Sequence, residues 1–305
     1  MRIDLHSLLA TRLSILKALF TDATLISNES IVNYLFSVIR KSVPLLVDTD
    51  EDKEFIVTFD LMVVQILMNN YSATNGLSDK LRTFPQCAMA KDIIDRSILF
   101  ERKLELTNHG CQRSFKFWSE EKKLAYLAFG NEIIKLFRKN ALDSCFGFGT
   151  VLGLHRNGKL IDHDDDIDIL VTSREERFDC ISSIIDQACY ILQRAGYTIN
   201  LRSNLSHIHI AFDHETKIDV FAGLVEGEYF SCCPHPRKFI RYDEIFPASA
   251  RTFFGMECLL PRHTETYLAK CYGENWRTPV SIWRYDWGAL QNDYKDILMP
   301  CAELA

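Results

Sequence analysis

The stretch GFGTVLGLHRNGKLIDHDDDIDILV, residues 147–171, decides how this chain is read. Five aspartates, Asp162, Asp164, Asp165, Asp166 and Asp168, fall within seven residues, and apolar residues follow at once. Side chains at i and i+2 of a strand share a face. Asp166 and Asp168 therefore point one way, while Ile167 and Ile169 pack on the other. Carboxylates this close repel one another and resist burial. A divalent cation resolves the conflict, and Mg²⁺ (or Mn²⁺) suits one or two carboxylates plus the phosphate oxygens of a substrate. A solvated acidic loop accounts for Asp162, Asp164 and Asp165. It does not account for a pair that alternates with isoleucines.

A third carboxylate stands in the same setting. Asp219, in KIDVFAG, lies between Ile218 and Val220 on a later strand. A lone aspartate inside a strand is unfavourable without a partner; the alternative is an edge strand that shows it to water. If the two strands are neighbours, Asp166, Asp168 and Asp219 form one catalytic and metal-binding cluster, able to hold one or two cations about 4 Å apart. Upstream, Gly147, Gly149, Thr150 and Gly153 frame a turn that opens a short helix, where exposed N–H groups cradle phosphate. Such a turn is weak evidence alone. Followed by Asp-x-Asp on a strand and a later strand aspartate, it is the layout of the nucleotidyltransferase fold of the DNA polymerase β type. The substrate-binding candidates are Gly149, Thr150, Arg156, Lys159 and His163. Arg156 and Lys159 either meet donor phosphates, Arg bidentately, or balance the aspartates. Thr150 is a phosphate contact or a helix cap. His163 is a base, a ligand or simply solvated.

The surrounding chain changes character near residue 116. Residues 1–115 read as an all-helical module, with apolar residues at three- and four-residue steps in LHSLLATRLSILKALF, IVNYLFSVI and FDLMVVQILMNNY. No motif there carries recognisable chemistry. Residues 116–305 read as a mixed α/β (α+β) domain, a nucleotidyltransferase-like sheet flanked by helices. SEEKKLAYLAFGNEIIKLFRKN is an amphipathic helix capped by Ser119. A helix after the acidic strand is expected to start from a capping box of Ser173 and Glu176, to bury Phe178, Ile181, Ile185, Ala188 and Leu192, and to stop at Gly196. YTINLRS, HIHIAFD and KIDVFAG read as three strands. His207 and His209 share a strand face, turned to an acceptor cleft or to a half-exposed sheet. CCPHP offers poor zinc geometry, with one His and two adjacent Cys.

The segment FGTVLGLHRNGKLIDHDDDIDILV closely resembles the LicD/fukutin family pattern GTLLGxxRxxGFIPWDDDIDI, without a gap between Gly-Thr and Asp-x-Asp. KIDVF, EIFP, FFGMECLLPRHTETYL and CYGENWRTP fit later landmarks in order, so the resemblance spans about residues 119 to 280. It departs at Asp162 and His163, where the family usually has Pro and Trp, and at Lys159, where it usually has Gly; these departures bear on substrate choice. The resemblance implies transfer of a phosphorylated alcohol, such as phosphocholine, ribitol phosphate or glycerol phosphate, from a CDP-activated donor to a sugar hydroxyl of a surface glycan. It also implies that Asp166, Asp168 and Asp219 hold the metal, and that Asp219 helps accept the proton. Two other classes stay open. One is a nucleotidyltransferase acting on protein, RNA or a small molecule; the other is a scaffold with a degenerate site.

The whole chain sets outer bounds. It has 305 residues, 47% hydrophobic and 25% charged, with net charge −6. That fits a globular protein with a real core and leaves no broad basic surplus, so nucleic acid is not an expected partner. Ten irregularly spaced cysteines are no disulfide framework and read as reduced thiols. Asp4, Arg12 and Lys17 interrupt the amphipathic start, which is neither a signal peptide nor a spanning helix. The expectation is a cytoplasmic protein, peripheral at most to the inner face of a membrane, where glycan-assembly partners would be found.

Overall fold

A computed structural model of the chain describes residues 4–20, 33–34, 37–38, 41–43, 47, 49–107, 109–201, 206–214, 216–280 and 291–298. These form two compact units, one reaching Phe117 and one running from Trp118 to Pro279 together with residues 291–298. Most of the helix expected over IVNYLFSVI lies outside the described residues. Among the described residues, no helix is long and apolar enough to cross a membrane.

The first unit is built around α2 (Asp50–Leu67). Thr49 caps it by accepting from the Asp52 N–H at 3.1 Å, and Asp50, Glu51 and Asp52 face its positive end. Phe55, Ile56, Phe59, Met62, Val63, Val64 and Ile66 are all buried, more than one face of a helix. α1 (Leu5–Leu19) adds Leu9, Leu13 and Leu16, and α3 (Thr74–Leu81) and α4 (Cys87–Ile94) complete the core. The unit is helical but not wholly so. A short hairpin pairs β1 (Glu105–Thr107) with β2 (Gly110–Gln112). Its anchors are polar and non-local: the Leu106 N–H reaches Asp95 at 2.9 Å, and Lys91 Nζ meets both the Leu106 carbonyl at 2.7 Å and Glu105 at 3.1 Å. No helical or strand period records such contacts, so a purely helical expectation missed the hairpin.

Two charges that interrupt apolar stretches answer one another here. Arg12 Nε of α1 lies 2.9 Å from both carboxylate oxygens of Asp60, which is wholly buried on α2. Burial raises the Asp60 carboxyl despite the opposing hydrogen bond and charge of Arg12.

The second unit is a five-stranded mixed sheet. β3 (Asp143–Phe146) runs antiparallel to β4 (Ile167–Thr172), and β4 runs parallel to β7 (Lys217–Ala222). β6 (His207–Ala211) and β5 (Ile199–Leu201) follow antiparallel, in the order β3-β4-β7-β6-β5. Two helices, α5 (Glu120–Lys139) and α7 (Ile181–Arg194), contact the sheet and each other. Their side receives Ile167, Ile169, Ile218 and Val220; a Cβ added to Gly130 of α5 would lie 3.6 Å from Ile167. By alternation, Asp168, Asp219, Phe221, His207 and His209 belong to the opposite face. β4 and β7 are central strands, so Asp219 is not on an edge.

α7 begins later than the sequence pattern implied. It opens at Ile181 with no side-chain cap, and Ser173 Oγ accepts from the Glu175 N–H at 3.2 Å in a local turn. The serine hydroxyl serves a tight turn, a known competitor of the helix N-cap, and the capping box with Glu176 does not form. Phe178 is half-buried, with the Arg177 guanidinium 4.4 Å above its ring. The stop at Gly196 holds, in the left-handed region at φ +87°.

Replacing Arg12 by Ala strands a buried carboxylate, so we expect a loss of roughly 3–5 kcal/mol in urea unfolding. The raised Asp60 carboxyl binds its proton more tightly in the folded chain than in the unfolded one. Its contribution is therefore fully present below the ordinary value of 3.8 and is lost as pH rises from there through the raised folded value. The deficit of Arg12→Ala should shrink accordingly as the urea series is moved towards acid pH.

Candidate active site

Strand pairing brings the carboxylates together. In the parallel β4/β7 pair, Asp168 stands directly beside Asp219, on strands about 4.8 Å apart. Asp166 precedes β4, and all three are buried. At such spacing two carboxylates repel by about 3.5 kcal/mol even at an effective dielectric of about 20. The fold sets cations and donors against that repulsion. Lys217 Nζ lies 3.1 Å from Asp219 Oδ1, and His209 Nε2 lies 3.2 Å from the same oxygen. Burial, the largest influence, would raise the Asp219 carboxyl. The His209 contact, the Lys217 charge and the neighbouring His207 outweigh it and hold the group well below the usual carboxylate range.

The Gly-Thr turn lies against this pair. α6 (Phe148–Asn157) starts straight after β3, and the Gly147 N–H donates to the Asp168 carbonyl at 2.9 Å. Thr150 Oγ1 accepts from the Asp168 N–H at 2.9 Å. The buried Thr150 thus ties the first turn of α6 to the acidic strand. A Cβ on Gly149 would lie 2.6 Å from Asp164 Oδ2 and 3.9 Å from Asp168 Oδ2. The glycine lets two carboxylates approach the positive end of the helix. Asp164, which reads in sequence as part of a solvated loop, is half-buried against this helix start.

Phe148 carries the strain of the sharp strand-to-helix turn, at φ +39°. Its N–H donates to the Tyr267 hydroxyl at 3.0 Å, and its ring stacks on His235 at 5.3 Å. Burial pushes the His235 imidazole down to about 3, so this histidine is a neutral packing partner. The late landmarks of the sequence therefore work on α6. Tyr267, on α8 (Thr264–Tyr272), holds its start, and the buried Trp276 meets its end, where the Trp276 carbonyl accepts from Arg156 Nη1 at 3.3 Å.

The other sequence candidates lie farther out. Arg156 sits near the C-terminal end of α6, about 10 Å along the axis from Gly149 at 1.5 Å per residue. Exposed Lys159 pairs with Asp162 at 2.8 Å, and His163 is exposed in the same loop. The geometry gathers Gly149, Thr150, Asp166, Asp168 and Asp219 in one place and leaves Arg156, Lys159 and His163 at its margin.

Three participants were not picked out from the sequence. Asp164 is one and Lys217 is another. The third is Tyr126 of α5, wholly buried, whose hydroxyl accepts from the Ile167 N–H at 3.2 Å and donates to the Lys217 carbonyl. One phenol thereby joins the starts of β4 and β7. Burial first, and then the charges of Asp166, Asp219 and Asp168, push that phenol well above its ordinary value. In sequence Tyr126 is one aromatic residue in an amphipathic helix, and nothing marks its hydroxyl. His207 and His209 are buried instead of half-exposed. With Asp219 they bring ligand atoms within 4.8 Å of one another.

These features match a known domain. Residues 142–263 match the family model described as LicD/FKTN/FKRP, nucleotidyltransferase domain, which supports membership of the LicD family for this part of the chain. Such a domain supports a phosphotransferase- or nucleotidyltransferase-like function. The match leaves out α5 and all residues beyond His263. No curated protein matches the sequence significantly. Among solved structures, ANT(2")-Ia in complex with adenylyl-2"-tobramycin is similar at 15% identity and TM-score 0.32, over 44% of this chain and 68% of that one. The lincomycin-bound lincosamide antibiotic adenylyltransferase LnuA is similar at 14% identity and TM-score 0.32, over 46% and 79%. At such TM-scores they add nothing about this chain's chemistry.

Removing the Tyr126 hydroxyl leaves a buried N–H and a buried carbonyl unpaired. Tyr126→Phe should lower stability by about 1–3 kcal/mol in urea unfolding.

Proposed function

We propose that this chain transfers a phosphorylated alcohol from a CDP-activated donor to a sugar hydroxyl of a glycan, with Mg²⁺ or Mn²⁺ held by Asp166, Asp168 and Asp219. The observation that carries the reading is the register of Asp168 beside Asp219 against the glycine-opened start of α6. Two buried carboxylates with a third close by fit a hard divalent cation that also takes phosphate oxygens. When bound, the cation would neutralise charge on the donor diphosphate and on departing CMP.

The chain's own part is positioning. The N–H groups at the start of α6 offer donors and a positive dipole to a phosphate. Thr150 and Tyr126 hold the acidic strands in place behind it. Asp219 is better suited to ligation than to proton abstraction, because a carboxyl held that low is a weak base. Arg156, Lys159 and His163, at the margin, are placed for the less reactive parts of donor or acceptor.

A thermal-shift series with CDP-choline, CDP-ribitol, CDP-glycerol and nucleoside triphosphates, each with and without Mg²⁺ or Mn²⁺, tests the reading. A donor at about a hundredfold excess over Kd stabilises the fold by about 2.7 kcal/mol. We expect a metal-dependent rise in Tm with one CDP-alcohol, lost in Asp168→Asn and in Asp219→Asn. A rise with a triphosphate alone would move the assignment to nucleotidyl transfer. Metal-independent behaviour throughout would refute it.

A further inference from the structure

The same face of the sheet holds a second kind of ligand set. His207 and His209 sit two apart on β6, and His209 is the cross-strand partner of Asp219 on β7. All three are buried, with ligand atoms within 4.8 Å of one another. Buried histidines are usually core residues satisfied by neighbours, and a ligand reading needs more than proximity.

Lys217 supplies the further observation. Its Nζ lies 2.9 Å from His209 Nε2 and 3.1 Å from Asp219 Oδ1. An ammonium has no lone pair and can only donate. With Lys217 charged, both contacts are donations, so His209 Nε2 turns a lone pair to the same point as the Asp219 oxygen. That point is a cation position between an imidazole nitrogen and a carboxylate, filled by the protein's own ammonium. His207 stands beside it in a fixed pose. Its ring stacks on Phe221 at 4.8 Å, and its Nδ1 lies 3.2 Å from Ser206 Oγ. Hydrogen bonding at one ring nitrogen is how proteins orient the other towards a metal. Lys217 is a third exposed, on a flexible four-carbon stem, and can swing outward.

We propose that His207, His209 and Asp219 form a site for an imidazole-binding divalent cation of the Zn²⁺ or Co²⁺ type, and that the Lys217 ammonium occupies and guards it. Two imidazoles and one carboxylate with open positions suit such metals, whereas Mg²⁺ takes oxygen ligands. The site shares Asp219 with the proposed Mg²⁺ position. Its two nitrogen ligands are no part of that reading, and it stands whether or not the chain transfers a CDP-activated alcohol. Cation and ammonium exclude each other from one position, so removing the ammonium should tighten metal binding.

Co²⁺ is the probe, followed by its visible absorption and by titration calorimetry on the full chain. The wild type should bind Co²⁺ with a spectrum showing nitrogen ligation. His207→Ala and His209→Ala should weaken binding at least about tenfold, the scale of a lost ligand contact. Lys217→Met should tighten it by about tenfold, as expected when a competing positive charge leaves. Asp168→Asn should leave the nitrogen-ligation bands of the Co²⁺ spectrum in place, although it removes the Mg²⁺-dependent shift with the CDP donor, so the two readings fail separately. Metal-free melting temperatures identify any variant that is merely unfolded. His209→Gln, which retains an acceptor for Lys217, replaces His209→Ala in that case. The proposal is overturned if Co²⁺ does not bind, if its binding ignores both histidine variants, or if Lys217→Met leaves the affinity unchanged.

Discussion

Parallel pairing of β4 with β7 forces two buried carboxylates side by side, and much of the second unit answers that constraint. Asp168 and Asp219 cannot separate without breaking the central ladder of the sheet. They cannot both remain charged at low cost in a dry interior. The surroundings therefore supply positive charge and donors from several directions. Lys217 and His209 approach Asp219, and the start of α6 approaches Asp168. A neutral hydrophobic pair would pack there at less cost, so the stored repulsion would be of use where a cation arrives to relieve it.

Holding that arrangement takes parts far apart in the chain. Tyr126 fastens the entry of both acidic strands from the helical side of the sheet. Thr150 fastens α6 to β4, and Tyr267 fastens the strained first residue of α6 from the distant α8. Gly153 lets the loop after α6 fold back closely, since a Cβ there would lie 2.7 Å from the Lys159 carbonyl oxygen. The late landmarks of the family pattern thus become intelligible as supports of the helix that faces the acidic pair.

The helical unit obeys simpler rules. An expensive feature, the buried Arg12–Asp60 pair, joins two helices by a bidentate contact. Breaking either side costs more than the pair is worth, because the remaining charge stays buried. Such pairs set register between helices and carry no chemistry of their own.

The sequence by itself determined the acidic strand, the glycine-opened helix before it and the later aspartate strand, because alternation and spacing are local properties of the chain. It also determined the mixed α/β class of the second half and the helical character of the first. Only the tertiary structure decided which strands became neighbours, since pairing depends on crossovers that no period of two or four records. That choice placed Asp219 at the centre of the sheet, drew His209 and Lys217 onto it, and set the Tyr126 hydroxyl across two strand ends. It also sent Ser173 into a turn instead of a helix cap and left Arg156, Lys159 and His163 at the margin. A residue's type announces what it can bind. Its neighbours across the sheet decide whether it does, because charge, burial and reach are fixed by contacts between segments distant in sequence.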